Sequence, residues 1–415
     1  MSGAEPLWRV FGRIGLLSFG GPAAQIALMH RELVDTRRWL SEAEFLRALS
    51  FCMLLPGPEA MQLATYAGWR LDGVRGGLLA GGLFVLPGAA LILALAAGYA
   101  AFGHVPLVSA LFLGVKAAVV VIVIEALLRV SYRALTSRAA RLVAFASFAA
   151  IFLFGLPFPL IVISAGVVGA AALPRSAAEP RALPGNPRLA TTLAIGLGLW
   201  WAPVVLVATL GQDFLTGIGL FFSKLAVVTF GGAYAVLAYM TQTVVQDYGW
   251  LTTAQMMDAL GLAETTPGPL ILVTEFVAYL AGAGAGSPLL ALAAAGLTLW
   301  VTFVPCFLWV FAFAPYIEWI AGRPRIGAAL AGVSAAVVGV IATLALWFAL
   351  HVVFASVHEV RFGAFALTLP DPATIQPVPL LIALVAGWLL IGRHWNLLAV
   401  LALSALAGAV APTGF

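Results

Sequence analysis

Two cations stand five residues ahead of a repeated tetrapeptide: Arg13 before Ser18-Phe19-Gly20-Gly21, and Lys224 before Thr229-Phe230-Gly231-Gly232. Farther along, Pro56-Gly57-Pro58 and Pro267-Gly268-Pro269 interrupt apolar stretches. Paired glycines let the backbone approach a ligand closely or take positive φ, and proline removes a donor and breaks a helix. Where a helix restarts after a break, its first N–H groups point outward with about half a positive charge behind them. That is a ready anion site. A cation beside each break suits an anion better than a cation. The same residues have blander readings: FGG as a packing notch, PGP as a kink, and Arg13 and Lys224 as side chains snorkelling to headgroups. Recurrence of both motifs at one spacing favours function.

That spacing is a duplication. Shifting the chain by 211 positions aligns Arg13–Pro58 with Lys224–Pro269 without a gap and with 15 identities in 46 positions. Trp39-Leu40-Ser41 meets Trp250-Leu251-Thr252 in the same register. After a short insertion near Gly282–Pro288 the match resumes, with Pro87 opposite Pro305 and Gly114 opposite Gly332.

The elements that must position these motifs are membrane helices. Of 415 residues, 63% are hydrophobic and 9% charged, against about 25% charged in a soluble domain. Runs at 76–102, 105–128, 189–211, 326–350 and 379–392 are nearly free of charge, and most approach the ~20 residues that span a bilayer. The expected fold is all-α and polytopic, in two inverted-topology repeats of about six helical elements. Each repeat holds a helix broken at the Phe-Gly-Gly motif, a helix broken at PGP, two long helices and a shorter hairpin. The first repeat covers 1–173 and the second 213–415. Between them, 174–212 supplies a Pro- and Arg-rich linker and one unpaired helix, whose extra crossing turns the second half over.

Charge supports the inversion. The Arg31–Arg47 loop holds four arginines, whereas its mate Gln242–Asp258 holds two aspartates and no lysine or arginine. Gly103–Pro106 lacks lysine and arginine, while its mate carries Arg323 and Arg325, and the Gly155–Pro159 turn is matched by one containing Arg393. Lysine and arginine mark the cytoplasmic side, so each comparison flips as inverted halves require. The bookkeeping closes when the broken elements are re-entrant; full spans are the alternative.

Other candidates are weaker. Glu59 follows the first PGP and Glu264 precedes the second, and either is a candidate proton carrier, as intramembrane acids often are. They occupy different repeat positions, and Glu275 has no acidic mate. Lys116 sits in an apolar helix opposite Ser334, and Glu125 with Arg129 reads as an i,i+4 surface pair. Cys52 and Cys306 read as buried small hydrophobes. No catalytic cluster, metal-ligand pattern or cofactor motif appears, so no enzyme, metal or cofactor is expected. The net charge of +4 gathers in short loops and is not a nucleic-acid footprint. Met1–Arg9 lacks the order of a cleavable signal.

Two copies of Ser/Thr-Phe-Gly-Gly, Trp-Leu-Ser/Thr and a PGP-broken helix resemble the chromate ion transporter family of bacterial and archaeal inner membranes. The resemblance covers roughly 9–130 and 220–345. It implies efflux of a tetrahedral oxyanion, chromate with sulfate as its analogue; charge energetics make membrane potential, proton exchange or both the expected drive. By position, its motifs fall on Ser18–Pro22, Pro56–Pro58, Thr229–Gly232 and Pro267–Pro269. Pro22 faces Ala233 across the repeat, so the two breaks are expected to differ in shape. An inward sulfate or oxyanion permease and an anion channel remain alternatives. The partners implied are the oxyanion and the bilayer, with a homodimer left open.

Overall fold

The structure, a computed structural model, describes residues 5–173, 188–230, 233–321, 323–362 and 365–411. The chain is an all-α polytopic membrane protein, and its helices fall into two size classes.

The short class surrounds the motifs. Helix α1 (Leu7–Leu17) stops at Ser18, and α2 (Gly21–His30) restarts after Gly20, which lies at φ 86°. A π-wound turn, Arg31–Thr36, leads to α3 (Glu42–Cys52). Pro56-Gly57-Pro58 separates α3 from α4 (Glu59–Phe102), which bends sharply at Asp72 and Gly73. At 1.5 Å per residue, arms of 10–11 residues are about 15–17 Å long, half the ~30 Å hydrocarbon thickness.

The second half repeats the pattern with α9 (Asp213–Val228), α10 (Ala233–Gln242), α11 (Thr253–Glu264) and α12 (Val273–Ala285). The local hydrogen bonds repeat as well. Ser41 and Glu44 form a capping box at the start of α3, and Thr252 with Gln255 does the same before α11. Each box satisfies two orphan helix donors. The Trp39 amide donates to the Leu33 carbonyl at 2.8 Å, and the Trp250 amide to that of Val244 at 2.9 Å. Those partners are 211 residues apart, as the alignment places them.

The long class includes α4, α5 (Pro106–Ala134), α8 (Leu189–Thr209), α13 (Pro288–Phe313, with a 3₁₀ turn to Tyr316) and α15 (Pro324–Val353), each long and apolar enough to cross a membrane. Shorter helices complete the set: α6 (Arg138–Phe154), α7 (Phe158–Ala172), α14 (Ile317–Ala321), α16 (Pro377–Gly387) and α17 (Leu397–Val410). One element departs from the all-helical expectation. Val357–Phe362 (β1) and Phe365–Pro370 (β2) pair antiparallel between α15 and α16. The two strands carry Val357, Val360, Phe362, Phe365 and Thr368, β-branched and aromatic residues that suit strands.

Two compact units emerge, and each draws on both halves of the sequence. One gathers residues up to Ala97, the stretch ending at Val236, and Leu262–Pro324. Within it α8, the extra helix, packs on α9 and α13, and Trp200 Nε1 donates to Ser223 Oγ at 3.2 Å. The other gathers the stretch from Gly98, Leu237–Gly261, and Arg325 onward. Its core includes Ala118, Val121 and Ile122 of α5 against Ala386 of α16 and Val400 and Leu401 of α17. Of the linker expected at 174–212, residues 174–187 lie outside the described residues, as do Gly231 and Gly232 of the second tetrapeptide.

Candidate functional site

All four breaks lie in the first unit, where they engage crosswise. The Gly57 amide of the first PGP donates to the Thr229 carbonyl at 2.8 Å, and the Gly268 amide of the second donates to the Ser18 carbonyl at 2.9 Å. Each PGP thus binds the Phe-Gly-Gly break of the other half. Positive φ makes this geometry accessible, 126° at Gly57 and 89° at Gly268, a region where glycine carries no Cβ penalty. The hydroxyls are spent locally: Ser18 Oγ donates to the Ile14 carbonyl and Thr229 Oγ1 to the Leu225 carbonyl, both at 2.6 Å.

The long helices close on the same crossing. A Cβ at Gly88 of α4 would fall 2.1 Å from the Pro267 carbonyl oxygen, so that backbone approach requires glycine. At the mate of Gly88 stands Cys306, and its Sγ would lie 2.8 Å from a Cβ on Gly57. Cys306 is therefore a packing residue against the first PGP, and Cys52 is buried too.

Two buried glutamines complete the crossing. Gln25 Nε2 donates to both the Ser18 carbonyl (3.2 Å) and the Gly268 carbonyl (2.7 Å), tying one break to the opposite PGP. Gln62 Nε2 donates to the Pro56 carbonyl at 2.7 Å. The Oε1 atom of each is buried without a hydrogen-bond partner, where an unmet acceptor costs about 1–3 kcal/mol. Such atoms draw a donor: water or a protonated oxyanion oxygen. Reasoning from the repeat passed over both because their mates are Val236 and Val273. The available signal was a glutamine inside an apolar helix.

The remaining candidates take distinct places. Arg13 is partly exposed and pairs with Glu32 at 3.0 Å and Glu5 at 3.4 Å; Arg37 pairs with the same two carboxylates. Its charge is offset within a network of two arginines and two glutamates. Lys224 is exposed, and Phe19, Phe230, Pro56 and Glu59 are half-buried. Pro58, Pro267 and Pro269 are buried with their glycines. Glu264 is buried, and Tyr234 Oη donates to its Oε1 at 2.7 Å. Glu275 is buried in α12, and its Oε2 has no partner.

Among the described residues, the crossing brings together backbone amides, backbone carbonyls and two glutamine side chains. Among the described residues, no group of three or more histidine, cysteine or acidic side chains is placed to hold a metal. The sequence profile of the chromate transporter family matches residues 6–170 and 216–409, one match in each half. The chain belongs to the chromate transporter family. Membership makes it a transport protein and not an enzyme. It is 35% identical over 340 residues to a chromate transport protein of Pseudomonas aeruginosa, covering 81% of this chain and 78% of that one. A chromate transport protein of Cupriavidus metallidurans is 32% identical over 334 residues (80% and 79%). A probable chromate transport protein of Synechococcus elongatus is 31% identical over 342 residues (81% and 82%). No solved structure matches the chain.

Proposed function

We propose that the protein exports chromate across a bacterial inner membrane, holding the dianion at the crossing of the four broken helices. The observation that carries this reading is the reciprocal pair, Gly57 to Thr229 and Gly268 to Ser18. It fixes the starts of α4 and of the 3₁₀ turn leading into α12 against the breaks that precede α10 and α2. The Gly57 and Gly268 amides are committed to those carbonyls, so the anion is held by the next donors, the first amides of the restarted helices. Ser18 and Thr229 hold the breaks in shape through their hydroxyl bonds to Ile14 and Leu225, and Phe19 and Phe230 shape the walls. Arg13 reaches a substrate only by leaving Glu5 and Glu32, and Lys224 is the candidate cation of the other half. Glu59 and Glu264 are the candidate proton carriers.

The two halves are read as inverted repeats, with short arms entering from opposite faces and returning. Export of a dianion is favoured electrically. Moving one charge through 100 mV is worth about 2.3 kcal/mol, so a dianion leaving a negative-inside cell gains roughly 4–5 kcal/mol per 100 mV.

The test is transport in proteoliposomes with labelled chromate and sulfate, imposing potential and pH gradients separately. Saturable chromate movement toward the positive side supports export. Preferential inward sulfate movement makes the protein a permease, and non-saturating ohmic current makes it a channel.

A further inference from the structure

The second unit holds a buried charge cluster that the crossing does not use. Lys116 Nζ of α5 lies 3.6 Å from Asp258 Oδ1 of α11, and Tyr99 Oη at the end of α4 donates to Asp258 Oδ2 at 2.7 Å. Asp258 is 3% exposed, and its Oδ1 accepts no hydrogen bond. Taking two charges out of water costs several kcal/mol per ion, and attraction repays it only with full hydrogen bonding. Here one oxygen is held at ion-pair distance alone, so the pair is poised to separate.

It also has somewhere to go. Lys116 lines a cavity of about 340 Å³ together with Thr253, His351 and Gln376. His351 Nδ1 donates to the Trp347 carbonyl at 2.8 Å. A cavity of about 600 Å³ adjoins this one, sharing Leu113, Ala355, Gln376 and Pro379 as lining. A cation and two polar side chains around a chamber of this size suit a small oxyanion.

We propose that this chamber is a second anion station, worked by proton exchange at Asp258. Lys116 turns from Asp258 to the oxyanion, and the abandoned carboxylate takes one proton at Oδ1. The proton comes from hydronium in solution: one O–H bond of hydronium breaks, one forms at Oδ1, and a water molecule is left. Before the exchange the pair is neutral. Afterwards a neutral acid stands beside a lysine-bound anion, so no bare carboxylate is left facing the substrate. Among the described residues, Tyr99, Lys116, Asp258 and His351 are the titratable groups around the exchange, and Tyr99 holds Asp258 in place throughout. The station rests on the transport reading, because it needs an oxyanion passing through the protein.

Sulfate is the probe, added to purified protein and followed by calorimetry in two buffers of different ionisation heat. Wild type should take up about one proton per sulfate bound at this station, and binding should weaken as pH rises. Asp258→Asn should abolish that uptake, flatten the pH profile and tighten binding several-fold, because Lys116 is freed. Lys116→Met should remove this binding phase. Tyr99→Phe keeps both charges but withdraws a donor from the carboxylate, so it should move the pH midpoint upward; a purely structural tyrosine would leave the midpoint in place. Unchanged proton uptake in folded Asp258→Asn, or an unmoved midpoint in Tyr99→Phe, overturns the proposal. Chromate export by wild type without sulfate-linked proton uptake overturns the station alone, whereas absent export overturns the transport reading.

Discussion

The amide of Gly57 and the carbonyl of Thr229 meet at 2.8 Å across the two halves, and their repeat mates Gly268 and Ser18 meet at 2.9 Å. A duplicated chain has thus made each half complete the other's break. Ungapped motif spacing follows physically: moving PGP relative to Phe-Gly-Gly by one residue in either half would lose one of these bonds.

Gly57→Ala should harm the protein more than Gly268→Ala. At Gly57 the new Cβ would meet Gln62 Nε2 at 2.7 Å and Cys306 Sγ at 2.8 Å, whereas at Gly268 the nearest atom lies at 3.2 Å. Both also carry a strained φ, worth about 1–3 kcal/mol. Melting in detergent should drop further for Gly57→Ala, and Cys306→Ala should recover part of the loss. Equal melting of the two variants would show that Cys306 and Gln62 yield freely.

Arg13 and Lys224 share a repeat position and are tested separately, because Arg13 is held by Glu5 and Glu32. Exposed ion pairs contribute about 0–1 kcal/mol each, so Arg13→Gln should cost little stability and change oxyanion affinity by less than about threefold. Lys224→Gln should weaken affinity about 10- to 150-fold if it forms one charge-assisted bond of roughly 1.5–3 kcal/mol. Direct binding of sulfate or chromate to both purified variants decides. A larger affinity loss for Arg13→Gln would mean that its carboxylate partners release it to substrate.

Stability should carry a histidine signature at the loop after α2. His30 Nε2 lies 2.7 Å from Glu42 and Nδ1 lies 3.3 Å from Asp35. Hydrogen bonding to Glu42 is the main cause of a pKa raised above the ordinary histidine value of 6.5, with burial opposing it. Its stabilisation is therefore complete below 6.5 and is lost as pH climbs through the raised value. His30→Ala should flatten the melting profile across that window while leaving acidic behaviour dominated by carboxylates such as Glu44, which its capping box with Ser41 holds low. An unaltered alkaline decline in the variant would assign the effect to another group.

Much of this architecture was visible in the sequence, because the breaks at Ser18–Gly20 and Pro56–Pro58 are marked by glycine and proline, which disfavour helix continuation. The partners of those breaks were not. Nothing in the sequence says that Gly57 reaches Thr229, since hydrogen bonds between backbones leave no residue preference beyond glycine. Gln25 and Gln62 escaped because reading by repeat favours residues with matching mates. Lys116 was noticed as a lone charge, but its partner Asp258 looked like a loop acid opposite Arg47. Only packing of α5 on the segment before Gly261 brings them together. The β1–β2 hairpin was overlooked because its strands, Val357–Phe362 and Phe365–Pro370, are short beside the apolar runs.

Inversion of the halves is decided by sidedness at two mates of the repeat, Thr36 and Asp247. Both are exposed and each closes a π-wound turn, Arg31–Thr36 in one half and Thr243–Asp247 in the other. The native cysteines interfere little, since Cys52 and Cys306 are both buried. In intact cells a membrane-impermeant maleimide should label only one of Thr36→Cys and Asp247→Cys. Arginine counts place the exception at Thr36, on the cytoplasmic side, so Asp247→Cys should react from outside and Thr36→Cys only after the membrane is opened. A third cysteine at Asp72 tests the re-entrant arms, because a returning pair of short helices brings the Asp72 bend to the same side as Thr36. Labelling of Thr36→Cys and Asp247→Cys from one face would leave the halves parallel and remove the basis for arms entering from opposite sides. Labelling of Asp72→Cys from the face opposite Thr36→Cys would keep the inversion test separate and make the PGP-broken helix a full span.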